Sequence, residues 1–412
     1  MQNKSQVFVW SLFDFANSTY ATIVVAFVFA VFFKEVIAFG EPIGDFYWSL
    51  GITISMIITA VLNPTLGAIA DLTSTKKKFL LFFTLLSIIC TALMYYTGPG
   101  TIVFALIIFI LSNIGFQAGL AFYDAFIPEM VDEKYYNKVS GIGYAVGYIG
   151  SLLSVFLVFP FIDNPNLLFV ITAIVFLVFS LPLFIFLKET KNDLPVSTEN
   201  YLAYGIKKVT STIKNIKEYP NLKNFLFAFF FYIDAVNTII FFSGIYASST
   251  LEFSIEQLAY FFIIVQITAM IGSFIFASVG DKIGILRSIY ITLFFWIAII
   301  LYIFFFINKD SVILLGETPV HMFFIIGGIA GLFLGSTQSL SRTLMSKLTP
   351  FASKTEFFGF YATMDKTSTL VGPLTFGLIS ASTGSQKFAV LSLGVFFIIG
   401  MLLLRNVKLT KN

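Results

Sequence analysis

The sequence predicts an all-α integral membrane protein of twelve transmembrane helices, arranged as two six-helix pseudo-symmetric bundles. Three observations predict it. Hydrophobic residues fill 58% of the 412 positions, enough for roughly twelve spans of about 20 residues. Charged residues reach only 11%, less than half of the roughly 25% usual in soluble domains. Polar landmarks also repeat at a nearly constant offset between the two halves. This composition excludes a soluble enzyme, a nucleic-acid binder and a disordered chain, and a net charge of +3 is too small to point to a polyanionic partner. Cys90 is the single cysteine and His321 the single histidine. An internal disulfide, a multi-cysteine metal site and His-rich zinc or haem ligation are therefore excluded, and no cofactor or metal is expected.

Apolar runs punctuated by charge, Gly and Pro place the spans at 7–33, 46–70, 79–97, 101–127, 139–160 and 167–187, then at 224–248, 256–279, 288–307, 321–346, 357–381 and 386–405. Helices are the only element of this length that satisfies its own backbone in lipid. The first stretch is too long for a cleavable signal and carries Asp14 and Asn17, so it is read as a retained span. The domains follow as an amino-terminal bundle (1–187), a basic linker (188–223) and a carboxyl-terminal bundle (224–412). In the linker Leu202, Ile206, Val209, Ile213 and Ile216 recur at helical spacing with lysines on the other faces. That pattern predicts an amphipathic helix on the membrane surface, with a solvated linker as the alternative.

Lys34, Lys309 and Lys387 fall on one side of the membrane, Arg342 and Lys366 fall inside spans, and the other twenty of the 25 Lys and Arg lie on the opposite side. By the positive-inside rule both termini and the linker are cytoplasmic. Richness in Phe, Ile and Lys fits a bacterial cytoplasmic membrane, with a eukaryotic organelle as the alternative.

The repeat is carried by particular residues. Asp14-Phe15-Ala16-Asn17-Ser18 matches Asp234-Ala235-Val236-Asn237-Thr238 at an offset of 220. Asp71 and Asp281, Pro128 and Pro350, and Gly141 and Gly359 recur at offsets of 210, 222 and 218. Such parallel repeats are the plan of major facilitator transporters. The loop after the second span resembles that superfamily's motif, with Gly67 four residues before Asp71 and then Lys76-Lys77-Lys78; its second copy is Gly280-Asp281-Lys282-Ile283-Gly284. The resemblance implies gating roles for Gly67, Asp71, Asp281 and Gly284. The alternative is a turn aspartate followed by topology-setting lysines.

Ionisable groups at membrane depth are costly, so each is a functional candidate. They are Asp14, Asp124, Asp234, Arg342, Asp365 and Lys366. Gln117 shares a helix face with Asp124, Gln338 with Arg342, Tyr361 with Asp365, and Asn17 and Asn237 with their aspartates. The amino half holds two intramembrane acids and no intramembrane base, whereas the carboxyl half holds two of each. Either Arg342 pairs with an amino-half acid, or one acid carries a proton for part of a cycle. On this reading Asp14 or Asp124 serves a proton or a substrate amine, and Arg342 serves a carboxylate or an inner gate. The alternative is a purely structural salt-bridge network.

A narrower resemblance rests on Asp14-Phe15-Ala16-Asn17-Ser18-Thr19-Tyr20, Tyr123-Asp124-Ala125-Phe126-Ile127-Pro128-Glu129, Ser140-Gly141-Ile142-Gly143-Tyr144, Gly147-Tyr148-Ile149-Gly150, Gln338-Ser339-Leu340-Ser341-Arg342 and Phe357-Phe358-Gly359-Phe360-Tyr361. These resemble the vacuole-effluxer-like family, whose fungal members are autophagy-linked vacuolar amino-acid exporters. The departures are Phe15 where the family has Trp and Asp124 where it has Asn. The resemblance implies a secondary transporter of a small solute, working by alternating access, with membrane lipid as its other partner and a monomer as its working unit. Import or export, and proton coupling, stay open at this stage. The rivals are a membrane enzyme, which lacks a suitably placed Cys or His, a receptor or lipid scramblase, and a carrier for drugs or peptides.

Overall fold

A computed structural model describes residues 4–131, 136–189, 219–316, 318–348, 361 and 364–408. The expected amphipathic helix of the linker, Pro350 and Gly359 lie outside them. Among the described residues, ten helical stretches are long and apolar enough to cross a membrane. Their apolar surfaces, with Val103 71%, Ile185 65% and Leu402 61% exposed, suit contact with lipid rather than water.

Two units emerge, Met1–Phe39 with Ile54–Thr210, and Gly40–Thr53 with Ser211–Asn412. In the first unit α1 (Lys4–Tyr20) runs on through a π-helical turn (Ala21–Ala26), α2 (Val28–Phe32) and a second π turn (Phe33–Ile37). The β-branched run Thr22-Ile23-Val24-Val25 lies in the first of these turns, and the backbone breaks at Phe27 (φ −126°, ψ −91°). Then follow α3 (Ile43–Thr73), whose start up to Thr53 belongs to the second unit, α4 (Lys76–Leu93), α5 (Ile102–Asp124), the one-turn α6 (Ile127–Met130), α7 (Tyr136–Phe156) and α8 (Pro165–Phe186). Pro165 opens α8, where its missing N–H costs nothing, and the Asn164 side chain accepts from Leu167 N at 3.3 Å. α1 packs on α7 and α8, and α4 packs on α5 and α8.

The second unit holds α9 (Pro220–Ser249), α10 (Ile255–Ile283), α11 (Ile285–Phe306), a hairpin of β1 (Val312–Leu315) and β2 (Thr318–His321), α12 (Met322–Leu348), α13 (Val371–Thr383) and α14 (Gln386–Leu404). A capping box of Ser254 and Gln257 opens α10. Gly284, at φ +93°, makes the turn between α10 and α11, a conformation closed to most side chains. α9 packs on α13 and α14, and α11 packs on α12 and α14. Counted as spans, these are the same first–fifth, first–sixth, third–fourth and third–sixth pairings as in the first unit. The hairpin, in register Val312↔His321, was not foreseen from the sequence.

Of the two remaining expected spans, the fifth is the helix α7 and the eleventh is described only in part. Span eleven is divided: residues 364–368 are helical, Thr369 and Leu370 form a turn, and α13 starts at Val371. Pro373 is the cause, because its ring clashes with the carbonyl four residues back and it has no N–H to give.

Candidate functional site

The first unit gathers its polar groups around α1. Trp10 and Tyr123 stack with ring centroids 4.4 Å apart and planes 2° from parallel. The Trp10 indole donates to the Tyr123 carbonyl and the Tyr123 hydroxyl to the Trp10 carbonyl, each at 3.1 Å. This reciprocal clamp fixes α1 against the end of α5. Beside it, half-buried Asp14 takes a hydrogen bond from Asn17 (3.5 Å), and Asp124 is near enough to repel it. Gly143 on α7 allows this packing, since a Cβ there would collide with the Asp14 carboxylate and the Trp10 ring. Asn17 is buried, Gln117 is half-buried, and Asp124, the last residue of α5, is exposed. Asn113, on the face of Gln117, is committed to helix packing through Ser55 Oγ at 2.6 Å.

In the second unit Asp234 is fully buried at the middle of α9. Its Oδ2 accepts the Gly372 N–H at 2.7 Å, capping the start of α13 below the break in span eleven. Asn237, one turn along, hydrogen-bonds Asp365, on which Lys366 and Arg342 also act electrostatically. Tyr361 packs on Phe229 at 4.4 Å between ring centroids. Gln338, Arg342, Asp365 and Lys366 are all half-buried. The structure therefore brings Asn237, Arg342, Asp365 and Lys366 into one group and gives Asp234 a separate position.

The loop-motif residues are placed less tightly. Gly67 lies on α3 with no described atom within 4 Å of where a Cβ would stand. Asp71 closes α3 and Asp281 lies near the end of α10; their side chains fall outside the described set. Two of the three lysines that follow Asp71 are tied down within the first unit. Lys76 Nζ meets Glu129 at 3.0 Å, Lys76 N donates to Glu189 at 2.6 Å, and Lys77 Nζ donates to the Leu187 carbonyl at 2.7 Å. Burial pushes the Glu189 carboxyl up from its ordinary value, and Glu129 pushes it in the same direction.

Sequence reasoning missed Trp10 and Asp45, and it named Tyr123 only within the motif that carries the family resemblance. Asp45 is fully buried at the start of α3, where Gln386 Nε2 reaches its two oxygens at 2.9 and 3.1 Å and Ser380 donates to it; Gln386 in turn accepts from Thr250 at 2.8 Å. Its partners lie more than 330 positions away, so local pattern could not reveal them.

Comparison with known proteins agrees with this architecture. The sequence signature described as "Vacuole effluxer Atg22 like" matches residues 47–412. An uncharacterized MFS-type transporter, YxiO, of Bacillus subtilis is 31% identical over 96% of this chain and 93% of its own length. Autophagy-related protein 22 of Kluyveromyces lactis is 25% identical over 64% of this chain and 56% of its own length. A crystal structure of the nucleoside transporter NupG superposes with a TM-score of 0.71 at 13% identity, covering 98% of this chain and 99% of that one. The match across most of the chain and the close Bacillus relative make this protein a member of the vacuole effluxer Atg22-like family, multi-pass membrane carriers of the major facilitator fold.

Proposed function

We propose that the protein is a secondary active transporter of small zwitterionic organic solutes, amino acids first among them, which it exports by alternating access coupled to protons. The observation that carries this reading is the pair of polar clusters that involve the first helix of each unit, Asp14 with Asn17 and Asn237 with Arg342, Asp365 and Lys366. Carboxylates and an arginine at membrane depth are expensive to keep and are characteristic of ion and substrate pathways. Asp14, crowded by Asp124, suits a proton or an ammonium group, either of which relieves the repulsion. Arg342, beside Asp365, suits a carboxylate, which its planar fork can hold through two hydrogen bonds. An amino acid presents both charges. The family description, vacuole effluxer, supports export.

The test is uptake of a mixed amino-acid pool into proteoliposomes holding the purified protein, with and without an imposed pH gradient, read by mass spectrometry. Gradient-driven accumulation, lost in Asp14→Asn and in Arg342→Ala, is the expected result. Absence of flux for every amino acid removes the substrate reading, and accumulation indifferent to the gradient removes proton coupling.

A further inference from the structure

Asp234 differs from every other membrane-depth acid in this chain. It is 0% exposed, and its environment divides its two oxygens. Oδ2 accepts the Gly372 amide at 2.7 Å, while Oδ1 is buried with no hydrogen-bond partner. Among the described residues no charged group acts on it. Of the helices packed against α9, α13 carries no ionisable residue. Arg342 on α12 acts on Asp365 instead. On α10, α12 and α14, Glu256, Asp281, Lys282, Lys347 and Lys387 lie at helix ends. A carboxylate sealed from water with one hydrogen bond and no countercharge is among the costliest arrangements a protein can hold. A carboxylic acid in the same place is not: the carbonyl oxygen takes the Gly372 N–H, and the hydroxyl is a neutral group of modest cost.

The partner of Asp234 belongs to a broken element. Pro373 interrupts span eleven, Leu370 N turns back to the Ser368 carbonyl at 2.8 Å, and the hydroxyls of Ser368 and Thr369 fold onto the carbonyls of Asp365 and Lys366 at 2.7 Å each. The first free N–H groups of α13 thus start in mid-span, and Asp234 holds one of them. Gly372 is required for this closeness, because a Cβ there would collide with Asp234 and with Thr238. Few side chains are so placed that a change of charge would be felt at once by a helix end.

We propose that Asp234 is the residue that takes up and releases the coupled proton, and that the break at Thr369–Leu370 is the element that moves with it. This rests on the transporter reading above and narrows it, leaving Asp14 to the substrate ammonium. In the conformation described here Oδ1 carries the proton. Release to water requires the start of α13 to withdraw and admit solvent, whereupon Asp234 ionises; re-protonation from the other side allows α13 to close on it again. No covalent bond other than O–H is made or broken.

The decisive measurement is infrared difference spectroscopy of the purified, reconstituted chain against Asp234→Asn at neutral pH in light and heavy water. Asparagine keeps a carbonyl for Gly372 and a neutral group on the orphan side, so the variant should fold. Loss of a hydrogen–deuterium-sensitive band of a protonated carboxylic acid in Asp234→Asn is expected, together with loss of gradient-driven accumulation in proteoliposomes. A difference confined to carboxylate bands overturns the proposal, because Asp234 is then ionised while buried. A sodium-dependent rise in melting temperature that Asp234→Asn abolishes also overturns it, assigning Oδ1 to a metal cation. The infrared readout needs no substrate. A protonated Asp234 without amino-acid flux therefore upholds the site while sinking the substrate reading.

Discussion

At Gly143 a single methyl group separates a packed helix pair from a displaced one. The hydrogen of this glycine faces both the Asp14 carboxylate and the Trp10 ring, two groups already held by the Tyr123 clamp and by Asn17. Neither is a flexible end that can swing aside cheaply. Gly143→Ala is therefore expected to destabilise the first unit by about 1–3 kcal/mol, as overpacking in a dense interior does. It should also lower transport more than its effect on stability accounts for, since it displaces Asp14. Melting temperature in detergent and uptake per folded molecule check the two effects separately. An unchanged melting temperature would mean that α7 yields more readily than the geometry implies. At this scale the sequence was informative about residue type: Asp14, Asn17, Asp234 and Asn237 stood out as polar groups in apolar helices. It was uninformative about Trp10 and Tyr123, because an aromatic residue in a membrane helix is ordinary until its partner 113 positions away is known.

At the scale of the element, Asp45 shows how one helix end is held. The carboxylate is bound by Ser380 on α13 and by Gln386 on α14, which in turn holds Thr250. Removing it in Asp45→Ala leaves buried polar groups without partners, at a cost of about 1–3 kcal/mol each. Asp45→Asn keeps an acceptor for one donor and should cost less. Thermal unfolding of the two variants beside the wild type checks the ranking, and equal stability of all three would show that water replaces the lost bonds. The elements themselves were largely legible, because runs of apolar residues long enough to cross lipid have few other fates. Two departures have local causes. Span eleven breaks at a proline that hydropathy reads merely as a tolerated residue, and the first span contains two π turns that no periodicity signals.

At the scale of the whole molecule, the lysine distribution predicts an orientation across the membrane with both termini cytoplasmic. Cys90 is the single cysteine and is buried, so Cys90→Ala is expected to give a background silent to thiol reagents. Cysteines introduced singly for Lys309 and Lys387 should react with a membrane-impermeant maleimide applied to intact cells, while one introduced for Lys408 should react only after the membrane is opened. The reverse pattern would invert the topology and, with it, the sense of every transport assignment made above.

By itself the sequence determined that this chain lives in a membrane, that it does so as helices repeated in two halves, and which few ionisable residues stand at depth. Those properties follow from composition and spacing, since lipid cannot hydrogen-bond a backbone or solvate a charge. Only the tertiary structure decided which of those residues share a group and which stand apart. Asn237, Arg342, Asp365 and Lys366 are gathered; Asp234 is sealed alone against Gly372; and Asp45, which lay at a predicted helix boundary, proved to be the buried centre of a hydrogen-bond cluster. The reason is physical: a residue's electrostatic state depends on what is within a few ångströms of it, and in a helical membrane protein those neighbours come from helices distant in sequence.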